Sequence, residues 1–301
     1  MSIITGKRFG WLGVLILLFC LAAVFSAYAE DEGWVEPTLS KDAPAYSAEH
    51  PEDLQADQLI AHSAILMEAD SGRIIFEKNA NSIMFPASTT KIMTLYLGIN
   101  MLSDLERAQM VTVSERAVNV PTDSSTMGLH EGEIISYDDL LYGTMMLSGN
   151  DGANAIAETV SGSIERFVDL MNEAAALIGC QNTHFMNPHG YHDESHYTTA
   201  YDLALITREA MQSDYFRQIV AETVHALART NISRARSITT RSTILLPGSE
   251  DNENKYYYPY ATGVKTGFHR HGAGCCPELG VGNRGAVGAG FRPLHVAVLV
   301  H

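Results

Sequence analysis

Ser88 and Lys91 stand three residues apart in the stretch Phe85-Pro86-Ala87-Ser88-Thr89-Thr90-Lys91. On a helix that spacing puts both side chains on one face, one turn apart. A serine hydroxyl is a weak nucleophile until a base takes its proton, and a buried amine with a lowered pKa can be that base. Pro86 suits a helix entry, because it has no N–H to donate and its φ is already fixed. In a first turn, Ser88 would lie among unpaired N–H groups and at the positive end of the helix dipole, both of which favour a developing negative charge. The pair therefore reads as a nucleophile and its base in one helical turn. Composition alone yields roughly one Ser-x-x-Lys in a chain of this length, so the pair by itself decides little. Two further short motifs lie downstream, in order: Ser148-Gly149-Asn150 and Lys265-Thr266-Gly267.

The elements that must carry these residues can be read in outline. Ser63–Met67 and Arg73–Glu77 are apolar runs about an Asp70-Ser71-Gly72 turn, the pattern of a hairpin. The run after Ser88, Ile92-Met93-Thr94-Leu95-Tyr96-Leu97-Gly98-Ile99, is apolar nearly all round and predicts a helix buried in the middle of a domain. Helical spacing recurs over Tyr137–Leu147, Ala153–Val160 and Ile164–Ile178, the last capped by Ser163. Thr199-Ala200-Tyr201-Asp202 resembles a capping box and opens a helix through Met211, with Asp202 in a capping role. A further helix is expected over Tyr215–His225, and Thr239–Leu246 reads as a strand or an extended loop. Hairpin, long helix, several helices, then strand suggests an α/β (α+β) body with an all-helical insertion at about 102–235.

The flanks differ in composition from this body. Lys7 and Arg8 precede an apolar run, Phe9–Phe25, and Ala27-Tyr28-Ala29 supplies an Ala-x-Ala site. Residues 1–29 are thus expected to be a secretory signal cleaved after Ala29, with an uncleaved anchor as the alternative. Cys20 follows the bulky Phe19, which argues against a lipid-attached cysteine. Residues 30–53, acidic and holding Pro37, Pro44 and Pro51, read as a flexible leader. The formal net charge of the 301-residue chain is −15, and no basic stripe is present, so no nucleic-acid partner is expected. Cys180, Cys275 and Cys276 do not make a disulfide framework, and Cys180 reads as a small buried hydrophobe. His184, His189 and His192 share one loop, but the spacing His-x4-His-x2-His does not match the usual zinc patterns, so no metal and no cofactor are expected. The Tyr256–Tyr258 run reads as packing or as the rim of a cleft.

The three motifs, in this order and behind a signal-like segment, resemble those of the serine DD-peptidases, the low-molecular-mass penicillin-binding proteins, and specifically the D-alanyl-D-alanine carboxypeptidases. Longer strings carry the resemblance: Pro86–Thr94, Leu147–Asp151, Asn182–Gly190, Thr199–Ala204 and Gly263–Phe268. It implies a DD-peptidase/β-lactamase-like fold, an antiparallel sheet packed with helices, with the catalytic domain at 54–268. It also implies roles. Ser88 attacks the carbonyl of the penultimate D-Ala of a peptidoglycan stem peptide, and Lys91 takes its proton, helped by repulsion from Lys265 and by burial. Ser148 relays a proton towards the leaving amine. Asn150 binds the substrate backbone and holds Lys91. Lys265 and Thr266 face the terminal carboxylate, and Gly267 lets the strand approach the substrate. The oxyanion hole falls to the backbone N–H groups of Ser88 and Phe268. β-Lactams would acylate the same serine. Such an enzyme works outside the cytoplasmic membrane, in the periplasm or at the outer face. A β-lactamase shares all three motifs, but no Glu-x-x-Asn string stands between Asn150 and Lys265.

The resemblance stops at Phe268. Residues 269–301 are rich in Gly, Arg, His and Cys, with a short apolar end at Val296–Val300. They read as an aberrant tail replacing the last strands, with a shifted reading frame as one explanation and a genuine sequence variant as the other. The expectation is a sheet with an unpaired edge beside Lys265, no amphipathic membrane-anchor helix, and an inactive truncated protein as the alternative to an active one.

Overall fold

The computed structural model describes residues 56–59, 61–248, 254, 257–259 and 261–267, and two further strands at 278–282 and 295–300. The signal-like segment, the leader, Phe268, Tyr256, Cys275 and Cys276 lie outside the described residues.

The hairpin forms as the two apolar runs require. β1 (Ser63–Glu68) pairs antiparallel with β2 (Ile74–Lys78), Ile65 opposite Glu77. A 3₁₀ turn, Ala87–Thr90, leads directly into α1 (Lys91–Asn100), whose Ile92, Met93, Leu95, Leu97 and Ile99 are all buried. Short elements come next: α2 (Asp104–Arg107), started by the Ser103–Glu106 capping box, β3 (Met110–Thr112), α3 (Glu115–Val118) and β4 (Ile134–Ser136). The helical run is then α4 (Tyr137–Met146), α5 (Asn150–Ser161), α6 (Ile164–Ile178), α7 (Ala200–Ala210) and α8 (Asp214–Ala221). Serine or threonine side chains cap α4, α6, α7 and α8 by accepting a backbone N–H of the first turn. After β5 (Val224–Leu227) and β6 (Arg236–Thr239) the chain returns to the body as β7 (Ala261–Thr266). α1 runs through the apolar core, packed against α4, α5 and α7.

Several expectations are corrected. The insertion is not all helical, because β3 pairs with β4 and β5 with β6 as two small antiparallel sheets. The helix expected to reach His225 stops at Ala221; residues 224–227 alternate in burial and take strand geometry instead. Thr239 ends β6, and Thr243–Leu245 is a 3₁₀ turn.

The largest correction concerns the tail. The C-terminal strands are not missing: β8 (Glu278–Gly282) and β9 (His295–Val300) complete a five-stranded antiparallel sheet in the order β2-β1-β9-β8-β7. β7 therefore has no open edge towards β1; Lys265 stands opposite Leu279, Leu279 opposite Val298, and Ile65 opposite Val298. The physical reason is local. His-Val-Ala-Val-Leu-Val is rich in β-branched residues, and the edges of β1 and β7 supply unpaired backbone groups that only strands satisfy. Poor overall composition does not exclude one run of good propensity, β9, and β8, with two glycines in five residues, takes strand geometry because it is paired on both sides, with β7 and β9. Among the described residues, no helix is long and apolar enough to cross a membrane.

Candidate active site

The nucleophile turn is tighter than a helix start. Pro86 sits at its N-cap with φ −72°, and its carbonyl accepts from Thr89 N (3.2 Å) and Thr89 Oγ1 (2.6 Å). Ala87 takes a positive φ of 47°, which L-residues with a Cβ adopt only at a cost of roughly 1–2 kcal/mol. Ser88 thus lies in the 3₁₀ turn and Lys91 opens the α-helix, with Lys91 Nζ 3.3 Å from Ser88 Oγ.

Lys91 has no exposed surface at all. Its amine has two shorter contacts, each 2.7 Å: Asn150 Oδ1 and the backbone carbonyl of His189. Burial holds its pKa well below the ordinary lysine value; Lys265 and Arg241 push the same way, against Asp151, which favours the charged form. The lowered pKa follows the expectation, but the order of causes does not: burial leads and the neighbouring amine is second.

The second motif is the link between α4 and α5. Ser148 is buried with φ +60°, and Asn150 opens α5 two residues later. The Asn150 N–H donates to Ser125 O at 2.8 Å, tying this corner to the loop before β4. The buried Asp151 carboxylate fastens the same loop by accepting the backbone N–H groups of Met127 (2.8 Å), Gly128 (3.0 Å) and Leu129 (3.0 Å).

The third motif lies on β7. Lys265 is only 3 % exposed, and its amine donates to the carbonyl of its neighbour Thr266 at 2.7 Å. Burial first, and Arg241 second, bring its pKa down to about 7. Gly267 does allow a close approach, but to the nucleophile turn. A Cβ there would meet Pro86 O at 3.2 Å and Thr89 Cγ2 at 3.3 Å, so β7 ends against the turn that carries Ser88. Phe268 lies outside the described residues.

Several participants escaped sequence reading. Arg241, just after β6, donates from Nη1 to Ser125 Oγ at 2.7 Å and acts electrostatically on both lysines. Nothing local marks it, since it reaches the site only because β5 and β6 pair. His189 contributes a carbonyl, which no side-chain motif reveals. Asp202 is misassigned as a cap: Thr199 caps α7, accepting Asp202 N at 3.0 Å, while the Asp202 carboxylate accepts from Asn182 N (2.8 Å) and Thr183 Oγ1 (2.7 Å) and pins the start of the histidine loop. The histidines of that loop have separate partners. His184 Nδ1 lies 2.7 Å from Ser195 O, His189 Nδ1 accepts from Tyr191 N, and His192 meets the Phe85 ring edge-on. Cys180 is half-buried rather than buried, and burial pushes its thiol up to about 12. Tyr257 and Tyr258 are exposed, which fits a rim better than packing.

Comparison with known proteins is consistent across sequence and fold. The family described as D-alanyl-D-alanine carboxypeptidase, peptidase family S11, matches residues 48–277. The chain is 34 % identical over 210 residues to the D-alanyl-D-alanine carboxypeptidase DacF of Bacillus subtilis, covering 69 % of this chain and 51 % of that protein. It is 39 % identical over 153 residues to DacA of Haemophilus influenzae, covering 50 % of this chain and 39 % of that protein. The chain thus spans about half, or less, of the length of these curated relatives. Among solved structures it is similar to the Streptomyces K15 DD-transpeptidase, with TM-score 0.68 and 26 % identity over 80 % of this chain and 89 % of that one. Penicillin-binding protein 5 from Haemophilus influenzae aligns with TM-score 0.64 and 27 % identity over 79 % of this chain and 64 % of that one.

Proposed function

Because the chain belongs to the D-alanyl-D-alanine carboxypeptidase family, we propose that it removes the terminal D-Ala from peptidoglycan stem peptides through an acyl-enzyme on Ser88. The observation that carries this reading is the contact set of Lys91. A neutral amine has two N–H donors and one lone pair. Burial favours that neutral form; with Asn150 Oδ1 and His189 O, both at 2.7 Å, taking its two N–H groups, the lone pair is the group left to meet the Ser88 hydroxyl, whose Oγ is 3.3 Å from Nζ.

The steps proceed from that state. The Ser88 proton passes to Lys91 as Oγ bonds to the carbonyl carbon of the penultimate D-Ala. The oxyanion is met by the Ser88 N–H, and by the Phe268 N–H on family grounds. Collapse breaks the peptide C–N bond, and the proton held by Lys91 goes to the departing D-Ala amine, with Ser148 as relay. Water then attacks the ester under the same base and restores Ser88. Lys265, Thr266 and Arg241 face the free carboxylate of the substrate, a charge-assisted contact that a C-terminal amide cannot offer. A β-lactam opens on the same serine. On this reading residues 1–29 serve export, residues 30–53 are the leader, and the catalytic domain begins at 54 and includes the closing strands β8 and β9; the enzyme works on the outer side of the cytoplasmic membrane.

The test compares D-Ala release from a D-Ala-D-Ala peptide with hydrolysis of nitrocefin. Release of D-Ala with little nitrocefin turnover supports the carboxypeptidase; rapid nitrocefin turnover without D-Ala release makes the protein a β-lactamase instead.

A further inference from the structure

The loop between Asn182 and Thr199 lies directly on the nucleophile turn. A Cβ on Gly190 would stand 1.7 Å from the Ala87 carbonyl oxygen, so the two backbones touch. The His189 carbonyl meets Lys91 Nζ, and the Pro188 carbonyl accepts from Thr94 Oγ1. At the foot of the loop, Met84 and Thr198 exchange backbone hydrogen bonds of 2.9 Å.

Between these contacts sits His196, 2 % exposed, with the Phe185 ring edge-on at 5.6 Å. Its Nδ1 is 3.1 Å from Met186 N. A backbone amide can only donate, so Nδ1 carries no proton. The neutral ring therefore holds its proton on Nε2, which donates to Thr90 Oγ1 at 2.9 Å. One arm of the ring thus holds the residue just before Lys91. The other holds the residue that opens Met186-Asn187-Pro188-His189. Those two segments meet again at the Lys91 amine, so the ring closes a mechanical circuit around the base.

Resting on the carboxypeptidase reading above, we propose that His196 is a positioning residue for acylation: its neutral imidazole braces the Ser88–Lys91 turn against the segment that supplies the His189 carbonyl. Ser88 and Lys91 belong to the turn, whereas one of the two short acceptors of the amine belongs to the loop. The separation of Oγ and Nζ is then a matter of register between turn and loop, and proton transfer is steep in that distance. Burial, the leading cause, holds the imidazole pKa down at about 3; His184, His192 and Lys91 add to it, and Asp193 opposes. The ring therefore stays neutral wherever the enzyme works.

The experiment measures acylation of the full chain by a fluorescent penicillin, separating the rate at saturating drug from the concentration giving half that rate. His196→Ala and Thr90→Val each slow the saturated rate by about ten-fold or more, with the half-saturating concentration little changed. His196→Gln, whose amide offers one donor and one acceptor, restores most of the rate. The double variant is no slower than the slower single variant, because the Thr90 contact is already lost when the His196 ring is removed. A His196→Ala protein that melts lower yet acylates at the wild-type rate overturns the proposal, as do fully additive losses in the double variant. If His196→Ala does not fold, Thr90→Val, which exchanges the hydroxyl for a methyl of similar size, and its rescue by Thr90→Ser decide the matter. A wild-type chain that takes no label overturns the carboxypeptidase reading and this proposal with it. A labelled wild type with an unaffected Thr90→Val overturns this proposal alone.

Discussion

The two sides of the site are built on different principles. On the Ser88 side, a fully buried amine touches Ser88, Asn150 and His189, and the turn is locked to a loop by Gly190, Thr94 and His196. On the Lys265 side, one amine donates to its neighbour's carbonyl, and an exposed arginine reaches a serine hydroxyl. On the function proposed above, the first side has to fix a distance between two reacting atoms. The second has to present positive charge to an anion, an attraction that falls off slowly with distance and tolerates looser placement.

The sharpest way to break this contrast is at the nucleophile. Ser88→Ala should abolish covalent labelling by fluorescent penicillin, and peptide mapping should find the wild-type label on Ser88; a label elsewhere removes the first side from the chemistry. Lys91→Ala should slow acylation by on the order of 10³-fold or more while the fold persists. On the other side the effect is one of preference. Lys265→Gln should weaken selection of a D-Ala-D-Ala peptide over its C-terminal amide by about 1.5–3 kcal/mol, or roughly 10- to 150-fold. Unchanged discrimination would mean that Lys265 does not read the carboxylate.

The two sides also separate by pH. Lys265 is a cation below its pKa of about 7, so selection for the free carboxylate should fade as pH rises through that value, read from the amide comparison across about pH 6–8.5. His196 acts on stability instead. Its folded pKa of about 3 lies below the unfolded value near 6.5, so its contribution is whole above 6.5 and is lost as pH falls towards 3. Calorimetry of wild type and His196→Gln should show the shallower acid decline in the variant. The smallest effect is expected at the contact joining the two loops over the site, Tyr191 OH to Asp123 Oδ1 at 3.1 Å. Both residues are exposed, so Tyr191→Phe should change acylation by less than about two-fold.

What could be read in the sequence divides in the same way. Ser88, Lys91, Asn150 and Lys265 stand out because each is a side chain whose type suits the proposed chemistry, at short range within a motif. The hairpin and the long helices are equally plain, since periodicity and caps are local. Arg241 and the His189 carbonyl are not, because one arrives through a tertiary hairpin and the other is backbone. His196 is one more polar residue in a histidine-rich loop until its two partners give it meaning. The tail misleads for a different reason: composition averaged over 269–301 hides the pairing demand set by β1 and β7.

That demand has a consequence for how the molecule comes together. The middle of the large sheet is made last. Ser63 finds its partner in Val300, and β7 is joined to β1 only through β8 and β9. During synthesis the helices and the β1–β2 hairpin can form from neighbouring residues, while the inner edge of β1 waits for a segment made about 230 residues later. For that interval the nascent protein carries a sticky strand edge and must be held apart from its copies.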